Sequence, residues 1–304
     1  MLTEATRHTP DTARTEYELT FRELLAAGYT AVGEFHYLGY GEALAAADAA
    51  RAAGIELVLL HVAYARGGLE RFRQASPAAY LRQIEELQGR GIHVGVALHS
   101  VRACPSDWLR EIGRYAAEAE LPLHVHACEQ PREIDECIAE HDLRPIELLS
   151  ETGCLGPRTT VIHATHASDR ELDLIASTGA RVGLCPSTEA DLADGFAPMG
   201  RLLEREIALC IGSDSNVLVD PFEELRRLDA IARCESLRRD VLTASELLTI
   251  GGANGAASLG LGEWPTIEID LAHPSLRGVE PTELSAALVA GCSADVVESA
   301  RDHA

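Results

Sequence analysis

Seven short apolar runs, evenly interleaved with helix-forming segments, constrain the fold of this chain more than any other feature. They fall near residues 29–35, 55–62, 92–98, 121–127, 159–164, 180–185 and 207–213. Near-continuous runs of Val, Ile, Leu and Ala of this length read as strands buried on both faces. Between them the periodicity predicts helices over 16–27, 41–53, 77–90, 106–119, 131–140, 168–178, 198–205 and 220–234. Ser106 and Ser168 suit N-caps, Pro77 and Pro221 suit first turns, and Gly54 and Gly179 suit the position after a helix end. Strands alternating with helices imply an α/β fold with a parallel sheet covered on both sides. No Gly-x-Gly-x-x-Gly follows a strand, so the pattern favours a (β/α)8-type TIM barrel over a dinucleotide fold. Such a barrel has eight strands, and here the chain opens on a helix, so the first strand is expected to be absent.

The rhythm changes near residue 243. Residues 243–259 read as one helix with Thr243 as its cap, followed by short extended or amphipathic pieces at 264–271 and 285–291 and a frayed end at 299–304. The expected organisation is an incomplete barrel over 1–260 and a C-terminal extension over 261–304.

Composition removes several functions. The 26 basic and 48 acidic residues leave a formal charge of −22, which repels nucleic-acid backbones and anionic lipid. No apolar run is long enough to span a bilayer, and the first residues carry no secretory apolar region. The eight cysteines are scattered without a Cys-x-x-Cys pair and read as small buried hydrophobes of a reduced cytoplasmic protein. All 26 basic residues are arginine. A lysine Schiff base, a P-loop lysine and a carboxylated lysine bridging two metals are therefore excluded, and any metal site should hold one ion.

The chemistry-bearing residues gather at strand ends. Seven of the 12 histidines (His36, His61, His99, His124, His126, His163 and His166) lie in or just after the C-terminal part of a predicted strand. In a barrel those ends converge on one mouth. His124 and His126 share a face because strand side chains alternate. His126, nearer the rim, is the better metal ligand, and His124 is either structural or supports the ligands. Glu129, just beyond, can take a proton from a water and pass it to a leaving nitrogen. It could equally be a first-turn acid that complements a helix dipole. His163 could complete a metal site or polarise the substrate, with His166 behind it. Asp214, in Gly-Ser-Asp-Ser after the last strand, is placed to bind metal, to accept a proton, or both. Arg102, in His99-Ser-Val-Arg102, can grip a carboxylate through two parallel hydrogen bonds, or be an ordinary surface ion pair. The pattern suggests metal-assisted hydrolysis with one divalent ion.

These motifs resemble a known family. His124-Val-His126-Ala-Cys-Glu129, Val161-Ile-His-Ala-Thr-His166, Cys185-Pro-Ser-Thr-Glu-Ala-Asp191 and Gly212-Ser-Asp-Ser-Asn216 are similar to the amidohydrolase superfamily. More narrowly, Glu34-Phe-His-Tyr-Leu38, His99-Ser-Val-Arg102, Glu129-Gln-Pro-Arg-Glu133, Arg144-Pro-Ile-Glu-Leu-Leu149, Asp191-Leu-Ala-Asp-Gly195 and Asp270-Leu-Ala-His-Pro-Ser-Leu-Arg-Gly278 resemble formimidoylglutamate deiminases. The likeness runs from about residue 17 to 298. It implies one zinc held by His126 and Asp214, proton transfer by Glu129, assistance by His163, and substrate held by His99 and Arg102. The implied reaction converts N-formimidoyl-L-glutamate to N-formyl-L-glutamate and ammonia. The expected partners are a small carboxylate substrate and, as an open alternative, a second copy in a homodimer. The chain departs from the family in having no His-x-His before residue 124. The family's first strand and its β-sandwich portion lack counterparts, so the resemblance also implies an N-terminally truncated chain. Two other readings stay open: a catalytically impaired paralogue, and a related deaminase acting on another amidine or guanidine.

Overall fold

The computed structural model describes residues 8–262 and 266–301. The expectations for residues 1–7, Trp264-Pro265 and 302–304 lie outside the described residues.

Seven parallel strands run in chain order: β1 (Ala31–His36), β2 (Glu56–Ala63), β3 (Val94–Ser100), β4 (Leu123–Ala127), β5 (Thr159–His163), β6 (Arg181–Leu184) and β7 (Leu209–Ile211). Each pairs with the next in sequence, beginning with Ala31 opposite Glu56 and ending with Leu184 opposite Ile211. The result is the curled sheet of the TIM-barrel class, with a helical layer outside it. All seven sequence-predicted strands are present. In β2 every residue from Leu57 to Ala63 is buried, which is why its sequence is apolar without alternation. Among the described residues β1 and β7 each have a single sheet neighbour, so the sheet stays open. At the β7 edge the Asn254 amide donates to the Leu209 carbonyl at 2.8 Å, filling part of the missing ladder.

Helices α1 (Pro10–Ala26), α2 (Tyr40–Ala53), α3 (Pro77–Gly89) and α4 (Ser106–Glu118) alternate with the first strands. They are followed by α5 (Pro131–His141), α6 (Pro145–Glu151), α7 (Asp169–Thr178), α8 (Pro186–Asp191), α9 (Met199–Glu204) and α10 (Pro221–Ser236). Their ends follow local chemistry. Ser168 and Glu171 form a reciprocal capping box at α7, and Asp220 caps α10 through two backbone N–H groups. Gly54 and Gly179 adopt the left-handed conformation that ends α2 and α7. Ser106 departs from expectation. Pro105 holds the cap position and Ser106 is the first helical residue, its hydroxyl met by Arg110. Helix α1 starts six residues earlier than predicted, because Thr9 and Thr12 cap one another ahead of Pro10. Helices α6 and α8 were not predicted. Each is short and opens on a proline that reads in sequence as a loop.

The single helix expected over 243–259 is two, α11 (Ala244–Gly251) and α12 (Ala253–Ser258), broken where Gly252 leaves helical geometry. Beyond it, β8 (Thr266–Ile269) pairs antiparallel with β9 (Val297–Arg301), and α13 (Leu284–Gly291) lies between them. Residues 299–301, expected to fray, are part of that pairing. The segment is tied to α10. Arg226 donates to the carbonyls of Val289 and Cys292, and Asp220 accepts the Ala294 N–H. Phe222, Leu276, Leu288, Cys292 and Val296 form a small core there, separate from the main one. No helix among the described residues is long and apolar enough to cross a membrane.

Candidate functional site

Which histidines reach the mouth is decided by strand parity. A side chain on Gly33 would strike Leu60 and Leu259, and one on Gly95 would strike Leu60. Gly33, Leu60 and Gly95 therefore share the inner face, and two residues further along come Phe35 on β1 and, two more, His99 on β3. His36 and His61 fall on the opposite face, which corrects the expectation that both reach the mouth. His61 stacks on Tyr80 of α3 with ring centroids 5.5 Å apart and bonds Gln83 at 2.9 Å. His36 is closed off by Tyr17, Glu34 and the Gly39 carbonyl. His124 points inward, as expected, but lies deep, where its Nε2 meets the Ser258 carbonyl at 2.8 Å. That contact occupies its Nε2. Burial holds both His61 and His124 neutral, with pKa values lowered to about 4.

The mouth gathers His126, Glu129, His163 and Asp214, with His99 and Arg102 beside them. The His126 ring lies between Phe35 and His163, with centroids 4.4 Å and 5.4 Å away. Its Nδ1 meets the His99 carbonyl at 2.8 Å, a contact that makes Nδ1 the protonated nitrogen and leaves Nε2 as a lone pair. On β5, a side chain at Gly183 would meet Thr160 and Ile162, so those two share the inner face and alternation would turn His163 outward. The backbone overrides this. His163 and Ala164 have φ of +74° and +51°, and the ring stacks on His126 instead. Cys128 and Asp214 are likewise left-handed, at +56° and +49°. Non-glycine residues held in that region cluster at sites where side chains must be aimed.

His163 is the hub. Its Nδ1 sits 3.2 Å from the buried Glu189 carboxylate. Its Nε2 is buried without a hydrogen-bond partner, 4.0 Å from Glu129 and 3.7 Å from Asp214. Burial pulls its proton affinity down, but the bond to Glu189 and the charges of Glu129 and Asp214 outweigh that and raise its pKa. Burial, together with His163 and His99, holds His126 well below the usual imidazole range. His99 is lowered to about 4 by burial and by Arg102. Burial raises both Glu129 and Asp214, making each a better proton acceptor than a solvated carboxylate.

Arg102 approaches Glu129 at 3.5 Å through Nη2, while its Nε is buried without a partner. It is thus a cation at the mouth with unused donors. His166 closes a loop against the Asp194 carbonyl at 2.8 Å, and Gln130 bonds the Asp194 carboxylate at 2.9 Å. His166 therefore braces the mouth without facing His163.

Sequence reasoning missed three contributors. Glu189 orients His163 and also accepts the Cys185 N–H at 3.0 Å. Glu133 accepts the Glu129 N–H at 3.0 Å from a fully buried position, and burial raises it to about 7. Cys185 places its sulfur with His163 and Asp214, where one ligand atom from each lies within 4.8 Å of the others. Each stands in a motif quoted above, but each was assigned to packing or to no role.

A curled parallel sheet with histidines and carboxylates at the carboxyl ends of its strands is the arrangement in which TIM-barrel proteins place their active sites. The profile of the amidohydrolase family matches residues 2–267, and the chain belongs to that family. It is 36% identical over 269 residues to formimidoylglutamate deiminase of Pseudomonas aeruginosa, covering 78% of this chain and 59% of that protein. It is 31% identical over 258 residues to 5-methylthioadenosine/S-adenosylhomocysteine deaminase of Haloarcula marismortui, covering 83% and 59%. The chain thus spans about three fifths of the length of these relatives. Among solved structures, a zinc-bound adenosine deaminase from Xanthomonas campestris superposes with a TM-score of 0.88 at 22% identity, covering 98% of this chain and 70% of that one. An amidohydrolase from Brucella melitensis gives 0.82 at 29% identity, covering 97% and 75%.

Proposed function

We propose that this chain carries the site of a hydrolytic deaminase acting on N-formimidoyl-L-glutamate. Water replaces the terminal imino nitrogen of the formimino group, giving N-formyl-L-glutamate and ammonia. The observation that carries the reading is the pair Glu129 and Asp214 at 4.0 and 3.7 Å from the unpartnered His163 Nε2, with Arg102 3.5 Å from Glu129.

A divalent metal fits these residues, because a buried imidazole nitrogen without a partner beside a carboxylate is a ligand pair awaiting an ion. His126 through Nε2 and Asp214 would hold it, with His163 adjacent. When bound, the ion would polarise the attacking water and the C=N group. Glu129, raised by burial, takes the proton that water loses and delivers it to the departing nitrogen. Glu133 fixes the backbone of Glu129, and Glu189 fixes the tautomer of His163 so that Nε2 keeps its lone pair toward the ion's site. Arg102 and His99 line the side from which a substrate carboxylate would enter, and the free Nε of Arg102 supplies a donor for it.

A second reading, deamination of a 5′-modified adenosine, is favoured by the 31% identical relative. Arg102 argues against it, since a nucleoside offers no carboxylate. The test is ammonia release by zinc-supplemented protein from N-formimidoyl-L-glutamate and from 5′-deoxyadenosine, with wild type and Arg102→Ala. The expected result is turnover of the first substrate only, with KM raised about 10- to 100-fold in the variant. Turnover of the nucleoside instead, or none from folded, metal-loaded protein, would overturn the reading; the latter outcome marks an impaired paralogue.

A further inference from the structure

Cys185 stands apart from most other cysteines of the chain. Cys104, Cys128, Cys154 and Cys210 each donate their S–H to a carbonyl or carboxylate oxygen. Among the described residues the Cys185 sulfur has no such partner, although it is only 4% exposed. It follows the last residue of β6, at the end that forms the mouth, and Pro186 immediately starts α8. Room for it comes from β7. A side chain on Gly212 would approach the sulfur to 3.3 Å, so the glycine two residues before Asp214 leaves the sulfur beside that carboxylate. Glu189 braces both partners at once, holding the Cys185 N–H and His163 Nδ1 through the same oxygen.

We infer that Cys185 is a metal ligand, so that His163 Nε2, Cys185 Sγ and an Asp214 oxygen form a nitrogen, sulfur and oxygen face for one divalent ion of the zinc type. The inference rests on the metal reading above and changes its ligand set. One ligand atom from each of His163, Cys185 and Asp214 lies within 4.8 Å of the others, and His163 Nε2 and Asp214 Oδ2 are already 3.7 Å apart. Bonds of about 2.3 Å to sulfur and about 2.0–2.2 Å to nitrogen and oxygen set tetrahedral ligand separations of roughly 3.3–3.8 Å. One edge of the site is thus in place, and the sulfur needs a small side-chain movement. Zinc accepts this mixed donor set, whereas magnesium and calcium favour oxygen alone. On binding, the S–H bond breaks, the S–metal bond forms, and the proton passes to the buffer.

Cobalt substitution tests this without relying on catalysis. Apoprotein is titrated with Co2+, with metal content measured per chain. Bound cobalt in the wild type should show an intense near-ultraviolet sulfur-to-cobalt charge-transfer band. Cys185→Ser should lose the band and bind about tenfold or more weakly, and Cys210→Ser should keep both. A saturated wild type without the band, or Cys185→Ser retaining it, would overturn the assignment of Cys185 while leaving the metal reading intact. Failure of the wild type to take up cobalt or zinc would overturn both. Should Cys185→Ser not fold, the wild type still decides: X-ray absorption of the zinc-loaded protein should show one sulfur neighbour at about 2.3 Å, and a shell of nitrogen and oxygen alone would refute the ligand.

Discussion

At the residue scale, function turns on which atoms are left without partners. His163 Nε2 and Arg102 Nε are both buried and unpaired. An unmatched buried donor or acceptor costs about 1–3 kcal/mol, so a fold retains one where a ligand will satisfy it. Glu129 lies 4.0 Å from His163 Nε2 and 3.5 Å from Arg102 Nη2. Glu129→Gln keeps its shape but removes the proton acceptor. We expect kcat for N-formimidoyl-L-glutamate to fall about 10²- to 10⁴-fold with little change in bound metal, measured by steady-state kinetics and elemental analysis. A variant within a few-fold of wild type would assign the proton transfer elsewhere. Glu129 was legible in the sequence because it follows a predicted strand at a fixed spacing. Glu189 was not, since nothing local says that a residue four positions after Cys185 turns back onto a histidine of another strand.

At the element scale, the mouth is held by a carboxylate outside it. Glu171, fully buried on α7, receives the Arg144 guanidinium at 2.6 Å, the N–H of Ile146 at the start of α6, the Cys128 thiol at 3.1 Å, and Ser168. It thereby joins α6, α7 and the backbone turn between His126 and Glu129. Burial alone would raise its pKa, but the Ser168 N–H, Arg144 and Cys128 more than offset that and lower it. A group whose folded pKa is depressed contributes stability above its unfolded value and loses it as pH falls through the folded value. Replacing Glu171 by Gln should therefore cost about 3–5 kcal/mol near neutral pH, because Arg144 loses its partner. The gap from wild type in urea unfolding should narrow as the pH drops below the ordinary carboxylate range. A gap that is constant with pH would mean the contribution is packing. The strands of this region were all readable from apolar runs bounded by caps. Helices α6 and α8 were not, because an Arg-Pro or Cys-Pro start with only six or seven residues carries too little periodicity.

At the scale of the whole molecule, charge and openness dominate. A net charge of −22 on 304 residues favours expansion, and ion pairs such as those of Arg51, Arg132 and Arg238 are exposed and contribute little. Added salt screens the net repulsion over about 8–10 Å. The melting temperature should accordingly rise between low and moderate sodium chloride, as followed by circular dichroism. A fall would show that specific ion pairs outweigh the repulsion. The open edges at β1 and β7 are partly managed from inside the chain. Asn254 serves β7, while Leu259 packs on the inner face at Gly33.

The sequence by itself determined the seven strands, their parallel order, and the group of residues from which a site could be drawn. Those properties follow from apolar periodicity, capping and composition, which are local. The tertiary structure alone decided the rest. Parity sent His36 and His61 to the helical layer, depth gave His124 to Ser258, and left-handed backbone at His163 turned that ring against its strand's alternation. It also brought Cys185 beside Asp214 over the bare backbone of Gly212. Each of these outcomes depends on contacts between strands far apart in sequence, and no local pattern carries that information.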